Sequence, residues 1–210
     1  MRHILEAAVA SGQAAGQNLA LLRKNNGDNV VYVLYDPSKL AVGMDEGDPA
    51  GVIYGYLDVK PHHGDAWNAG EIKYAAAEKG YGPLMYELAM SDFHALMPDR
   101  LSTSTAARAV WQKYAARSDV EKKPLDNVAD PKTPTKADDA KLIPDYDGEE
   151  AYLNNAYAGP GDGGAKPALM ANHKDAAATI ADQLQASPAA VESKIMHMGD
   201  EYFGNRYRDG

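Results

Sequence analysis

"AEKGYGPLMYELAM", residues Ala77 to Met90, decides how this chain is interpreted. Gly80 and Gly82 stand one residue apart, Pro83 follows, and apolar residues then recur at helical spacing. Glycine allows a sharp turn and a close backbone approach, and the first amides of a helix attract anions. A tight turn between a strand and a helix selects the same residues. The pattern alone therefore leaves both a phosphate-binding loop and a plain turn open.

The segments around this stretch predict alternating elements. Pro83 suits the first turn of a helix, and apolar spacing extends that helix to about Leu96. The N-terminal segment is predicted to be helical to about Lys24, and Ser104 or Thr105 caps a later helix, "AARAVWQKYAAR". Three strands are predicted before the loop: "VVYVLYD", "GVIYGYLDVKP", which ends at Pro61, and "EIKYAAA", whose alanines would equally suit a helix.

Composition divides the chain into three parts. Residues 1–120 are predicted to form a core with the N-terminal helix. Residues 121–167, rich in proline and glycine, are predicted to be a linker or arm, in which "AYLNNAY" is a short element that could return to the core. Residues 168–210 are predicted to be a helical extension split at Ser187-Pro188, and its tail carries aromatic residues of a kind that usually docks on another surface.

Charge and composition exclude several classes of function. The net charge of −9 argues against non-specific binding of nucleic acid or anionic membranes. Without cysteine, the chain has no disulfide, thiolate metal site or cysteine nucleophile. No apolar run has the length of a membrane span, so we expect a protein that is not secreted and works inside a cell.

The glycine stretch and its neighbours resemble the GNAT superfamily of acyl-CoA-dependent N-acetyltransferases. In that family the motif Q/R-x-x-G-x-G/A holds the coenzyme A pyrophosphate, and Gly80 and Gly82 match its glycines. The resemblance covers about residues 28 to 118. It implies an α/β (α+β) fold: a mixed, mostly antiparallel sheet flanked by helices, here with an extended arm and C-terminal helices. It also implies acetyl-CoA as the cofactor, acetyl transfer to an amine, and backbone contacts to that cofactor from Lys79, Gly80, Tyr81, Gly82 and Leu84.

Three residues depart from the family pattern. Ala77 stands at the Gln/Arg position, Pro83 removes an amide, and Trp111 replaces the tyrosine that protonates the departing thiolate. Indole cannot act as that acid, so Tyr114, one helical turn away, is the substitute that the resemblance implies. These departures leave open a catalytically degenerate GNAT-like protein with a structural role.

The general base that such a reaction needs is sought on the strands beside the loop. Glu71 is the leading candidate, with Asp58 and Tyr74 as others. The simpler interpretation of Glu71 and Asp58 is as solvated charges at strand ends. His62, His63 and Asp65 are more simply an exposed loop than a metal site. His94 is expected at the surface or at a helix cap, and His173 and His197 have no partner that the sequence identifies.

The stretch from "GYGPLMYELAM" to "WQKYAARSDV" also resembles GNAT-like proteins of tailed bacteriophages, some of which lie among virion genes. That resemblance implies a location in the host cytoplasm or the virion. It implies protein partners, either other virion proteins or a second copy, that bind through residues 121–210.

Overall fold

The computed structural model describes residues 18–62, 68–125 and 148–207. Its strands are β1 (Ala20–Asn26), β2 (Asn29–Tyr35), β3 (Ile53–Pro61), β4 (Gly70–Ala77), β5 (Leu96–Met97), β6 (Glu121–Pro124) and β7 (Asn155–Ala158). Its helices are α1 (Pro37–Glu46), α2 (Gly82–Met90), α3 (Thr105–Ala116), α4 (Ala165–Gln183) and α5 (Pro188–Tyr207), with a 3-10 helix at Gly148–Asn154.

The strands form one mixed sheet in the order β1-β2-β3-β4-β5-β7-β6. β4 and β5 are parallel, whereas β1 with β2, β5 with β7 and β6 with β7 are antiparallel. Parallel strands need a crossover connection, and α2 provides the one between β4 and β5. A mostly antiparallel α/β sheet with helices was the predicted fold class, and the structure confirms it.

Two compact units divide these elements, and β3, β4 and α2 pass through both. The first unit comprises Met1–Asp58, Tyr74–Leu88 and Asp162–Gly210, and the second comprises Val59–Lys73 and Ala89–Gly161. The sequence-based division at residues 120 and 167 stays a prediction, because compactness does not measure independent folding.

The core of the first unit lies between β2 and the C-terminal helices. Val31, Val33 and Tyr35 alternate along β2 and share one apolar cluster with Ile195 and Phe203 of α5. The docking predicted for the tail aromatics is confirmed for Phe203, which is fully buried, while the Tyr207 side chain lies outside the described part.

The beginning of the chain differs from its prediction. Residues 20–24, expected in a helix, belong to β1, and residues 1–17 lie outside the described part. A two-residue turn joins β1 to β2, and Gly27 has the left-handed φ of +60° that suits it. Because β1 pairs with β2 and also packs against α4, Leu19 to Leu22 are all buried. Such burial removes the strand alternation that would have distinguished β1 from a helix.

Sequence analysis missed α1. Asp36 caps it by accepting a hydrogen bond from the Ser38 amide at 2.9 Å, Pro37 begins it, and Gly47 ends it with φ +67°. These three signals were present in the sequence.

α2 also differs, since it was expected to continue to Leu96. It ends at Met90, where the amides of Asp92 and Phe93 turn back to the Ala89 carbonyl. Leu96 and Met97 instead form β5, in register with Gly70 and Glu71.

The region expected to be a linker or arm contains two strands. β6 and β7 pair antiparallel from Glu121↔Ala158 to Pro124↔Asn155. The return of "AYLNNAY" to the sheet is thereby confirmed, and residues 126–147 lie outside the described part. The helix break at Ser187-Pro188 is confirmed too, with the Ser187 hydroxyl accepting from the Ala190 amide at 3.2 Å.

Candidate functional site

The glycine loop is a tight turn between β4 and α2 in the first unit. The Tyr81 amide donates to the Glu78 carbonyl at 3.0 Å, so residues 78–81 form a hydrogen-bonded β-turn. Gly80, at the third position of that turn, has φ +96°. A type II turn requires a left-handed residue there, which explains Gly80 by backbone conformation alone.

The backbone conformation of the turn does not explain the glycine at position 82. It is the first residue of α2, has no left-handed φ, and a Cβ added to it would meet no atom within 4 Å. The turn therefore requires Gly80 but not Gly82. The space in front of Gly82 is open, as it is at Gly80.

Some of the backbone amides in the loop could donate hydrogen bonds to an anionic group, but two of the positions cannot. Pro83 has no amide hydrogen, and the Tyr81 amide is used within the turn. The amides of Lys79, Gly80, Gly82 and Leu84 remain as candidates, at the N-terminus of α2 where the helix dipole favours negative charge. A Cβ added at Gly80 or at Gly82 would meet no atom within 4 Å, so the backbone at these two positions is not covered by neighbouring side chains.

The side chains at the loop separate into two groups. Lys79 is exposed, whereas Leu84 is fully buried. The Tyr81 ring is also buried and meets Tyr54 edge-on at 5.1 Å, so its contribution to binding could come only from the backbone. Ala77 ends β4 without a polar side chain, as the sequence indicated.

One edge of β4 changes its surroundings along the strand. β4 pairs with β5 only at Gly70 and Glu71, although β4 continues to Ala77. Among the described residues, no strand continues this pairing along residues 75–77 on the β5 side. The Tyr74 and Ala76 side chains pack on the core of the first unit. The main chain of residues 75–77 is therefore the part of β4 where an extended ligand could form hydrogen bonds as an added strand does.

Glu71 lies in the second unit at the centre of a polar cluster. We call it the Glu71 cluster, and its members are His62, Glu71, Lys73, Asp99 and Arg100. Glu71 is only 4% exposed, so its interpretation as a solvated charge was wrong.

Three donors surround the Glu71 carboxylate. It is within 2.7 Å of His62 Nε2, and it accepts from the Arg100 amide at 2.7 Å and from Lys73 Nζ at 3.0 Å. Burial alone would raise the pKa of Glu71, but these hydrogen bonds outweigh it and lower the pKa to about 2. A carboxylate this acidic is a weak base, which disfavours the role that the resemblance gave to Glu71.

The surrounding residues hold this carboxylate in place. Lys73 also bonds Asp99 at 2.7 Å, and Asp99 accepts from the Leu101 amide at 2.6 Å. The Arg100 guanidinium donates to the Leu153 carbonyl at 2.8 Å. The cluster thus connects β4 to residues far along the chain.

His62 was expected on an exposed loop, but it is half-buried in this cluster. His63 and Asp65 lie outside the described residues, and among those described no three side chains are grouped to hold a metal ion. His94 is exposed, but it lies beyond the end of α2 rather than on it.

Tyr114 is enclosed by aromatic rings in the second unit. It is 4% exposed and lies 6.0 Å from Trp111 and 6.3 Å from Tyr157, measured between ring centroids. Trp111 and Tyr157 stack at 5.4 Å, and the Arg117 guanidinium lies 5.0 Å from the Tyr114 ring. Tyr114 is thus surrounded by aromatic rings, whereas Glu71 is surrounded by polar groups.

A second histidine cluster in the first unit was missed by sequence analysis. We call it the His173 cluster: Lys24, Tyr35, His173 and Glu192. Tyr35 Oη lies 2.9 Å from His173 Nδ1, His173 Nε2 lies 3.6 Å from Glu192, and Lys24 donates to Glu192 at 2.9 Å. Residues so distant in sequence give no local motif that would reveal it.

Comparison of the chain with protein-family models, with curated proteins and with solved structures gives no significant match. Among the described residues, no helix is both long enough and apolar enough to cross a membrane.

Proposed function

We propose that this chain binds an acyl-CoA at the glycine loop and transfers the acyl group to an amine, as a GNAT-like N-acyltransferase. The observation that supports this most strongly is the edge of β4 at residues 75–77, which has no partner strand on the β5 side among the described residues and leads directly into the turn at the N-terminus of α2. An extended ligand with a diphosphate at one end suits both features.

Each part of this surface has a role in the proposal. The amides of Lys79, Gly80, Gly82 and Leu84 hold the diphosphate, and the exposed Lys79 ammonium adds positive charge. The main chain of residues 75–77 forms hydrogen bonds with the amide-containing arm, as an added strand would. An acyl-CoA supplies a thioester carbonyl that is reactive toward amines. The chain contributes position, which is a large part of catalysis in such direct transfers.

The test is calorimetric titration with acetyl-CoA of the full chain and of Gly82→Ala. A methyl group at Gly82 enters the open space where we place the diphosphate, so we expect affinity about tenfold lower, equivalent to about 1.4 kcal/mol. The fold should not suffer, because Gly82 has helical geometry and alanine favours a helix.

Lys60→Gln is the control, since Lys60 is also an exposed lysine but belongs to β3 and not to the glycine loop. Its affinity for acetyl-CoA should equal that of the parent chain. An absence of heat with the parent at millimolar acetyl-CoA, or equal binding by Gly82→Ala, would contradict the proposed site.

A second candidate function is structural, in the particle of a tailed bacteriophage. The observation that favours it is that both residues assigned to catalysis from the sequence are fully engaged: Glu71 by three donors and Tyr114 by aromatic neighbours. In this version residues 121–210 bind other virion proteins or a second copy of the chain.

Mass spectrometry of purified particles separates the two candidates. A structural protein should be present in stoichiometric amounts and should resist salt washing. A chain found only as a free monomer in the host lysate contradicts the structural role and leaves the enzymatic one.

A further inference from the structure

The first residue of the glycine turn carries the only acidic side chain of that stretch. Residues 78–84 have the sequence EKGYGPL, so Glu78 is the one acid among them. Its amide donates to the Tyr54 carbonyl at 2.8 Å, and its carbonyl accepts from the Tyr81 amide at 3.0 Å. The backbone of Glu78 is therefore fixed at the start of the turn, immediately before the amides that we propose to hold the diphosphate.

A tyrosine of the C-terminal helix holds the carboxylate of Glu78. Tyr202 Oη donates to Glu78 Oε1 at 2.5 Å, although the two residues are 124 positions apart in the sequence. Such a distance is typical of a hydroxyl that donates to a carboxylate, which is among the stronger hydrogen bonds in proteins. Both residues belong to the first unit, as does the whole glycine turn.

Packing of α5 on the core determines where the Tyr202 hydroxyl lies. Tyr202 is half-buried and packs against the apolar cluster of the first unit. Its ring meets the ring of Phe203 edge-on at 4.8 Å, and Phe203 is fully buried in that cluster. The contact between α5 and the core thereby brings one hydroxyl group to the glycine turn.

A carboxylate at position 78 can oppose the binding of an anionic ligand in two ways. It can accept hydrogen bonds from backbone amides, and those of Lys79 and Gly80 follow it directly in the chain. Its negative charge also repels a phosphate group. The hydrogen bond from Tyr202 reduces both effects, because it holds one carboxylate oxygen and disperses part of the charge.

We propose that Tyr202 is a positioning residue of the acyl-CoA site, which holds the Glu78 carboxylate so that the amides of the glycine loop stay available to the diphosphate. This inference rests on the proposed function, since it assigns to that site a residue outside the loop. It also gives α5 a part in ligand binding, because any change that displaces Tyr202 weakens the binding of acyl-CoA.

A double-mutant cycle in the full chain tests this role, with calorimetric titration of acetyl-CoA as the measurement. Tyr202→Phe keeps the ring and removes only the hydroxyl, so we expect an affinity about fivefold lower. Glu78→Gln removes the negative charge, so its affinity should be at least that of the parent chain. In the Glu78→Gln background, Tyr202→Phe should change the affinity by less than about twofold.

Tyr35→Phe is the matched control, because it also removes the hydroxyl of a tyrosine that packs in the apolar cluster of the first unit. Its affinity for acetyl-CoA should equal that of the parent chain. A loss that Tyr202→Phe owed only to a less stable fold would persist in the Glu78→Gln background. The cycle therefore distinguishes a positioning role from a structural one.

The outcomes separate this inference from the proposed function. If the parent chain binds acetyl-CoA and Tyr202→Phe binds it equally well, the inference is wrong and the proposed function stands. The same conclusion holds if the loss in Tyr202→Phe is undiminished in the Glu78→Gln background. An absence of acetyl-CoA binding by the parent chain contradicts both.

Discussion

His62–Glu71 and His173–Glu192 are two histidine–glutamate pairs, one in each compact unit, and they differ in how the imidazole is enclosed. His62 has one nitrogen on a buried carboxylate and a side chain that is 24% exposed. His173 has both nitrogens faced by side chains, with Tyr35 on one side and Glu192 on the other, and is 12% exposed. The residue types are the same, but among the described residues the imidazole of His62 faces one side chain, whereas that of His173 lies between two.

The exposure of the two carboxylates is reversed relative to that of the two histidines. Glu71 is buried and accepts three hydrogen bonds, whereas the side chain of Glu192 is 29% exposed and pairs with Lys24. In the first pair the acid is fixed and the imidazole is accessible. In the second pair the imidazole is fixed and the acid is partly solvated. We therefore expect mutations in the two pairs to lower the free energy of unfolding by different amounts. The predictions below run from the largest expected loss to the smallest.

Glu71→Ala should give the largest effect. It leaves the buried Arg100 amide without its acceptor and removes one of the two carboxylates that Lys73 contacts, so we expect the free energy of unfolding to fall by about 3 kcal/mol. Glu192→Ala should cost about 1 kcal/mol or less, because its ion pair is partly solvated. Urea unfolding followed by circular dichroism measures both.

Acid pH offers a check on the same comparison. The folded-state pKa of Glu71 lies below its ordinary value of 4.5, so its stabilisation is fully present above pH 4.5 and is lost as pH falls toward 2. Glu71→Ala should lose this part of the pH dependence. Equal losses from Glu71→Ala and Glu192→Ala would contradict the distinction between the two acids.

Tyr35→Phe should give an intermediate effect. It removes the hydroxyl that faces His173 Nδ1 at 2.9 Å inside a fully buried environment, without creating a large cavity. We expect a loss of about 1 kcal/mol in the free energy of unfolding and no change in acetyl-CoA affinity. A change in affinity would assign the His173 cluster to the site and overturn its structural role.

The titration of His173 should give the smallest effect. Burial lowers the pKa of His173 below 6.5, and the positive charge of Lys24 acts in the same direction. The Glu192 carboxylate raises this pKa, but by less than burial lowers it. The unfolded chain then binds more protons than the folded one, so stability should fall as pH decreases from about 6.5. His173→Gln should reduce this slope between pH about 5 and 7, measured by thermal unfolding with His197→Gln as the exposed control.

The fold was largely predictable where local signals are strong. β2 and β3 carry β-branched or aromatic residues between clear breaks, and α3 has the cap at Ser104. β1 was mistaken for a helix because its burial depends on α4, which comes more than a hundred residues later. The two residues of β5 form a strand only because β4 lies beside them, so apolar spacing alone extended α2 through them.

Local conformation at the candidate site was predictable, but the surroundings of its residues were not. The turn at Gly80 follows from residues close in sequence. The acidity of Glu71 does not, because it depends on the Arg100 amide, 29 positions away. His62 was predicted to lie on an exposed loop because of the residues next to it in the sequence. Its partner in the structure is Glu71, the residue that the sequence had suggested as the base.

The pairing of β6 with β7 has a consequence for how this chain tolerates change. Pro124 lies opposite Asn155, and the Leu125 amide donates to the Asn154 carbonyl at 2.8 Å, so the chain leaves and rejoins the sheet at one place. The entropy of closing a loop between two adjacent points grows only with the logarithm of its length. As long as the 3-10 helix Gly148–Asn154 is retained, the number of residues that precede it therefore has little influence on the free energy of this strand pairing.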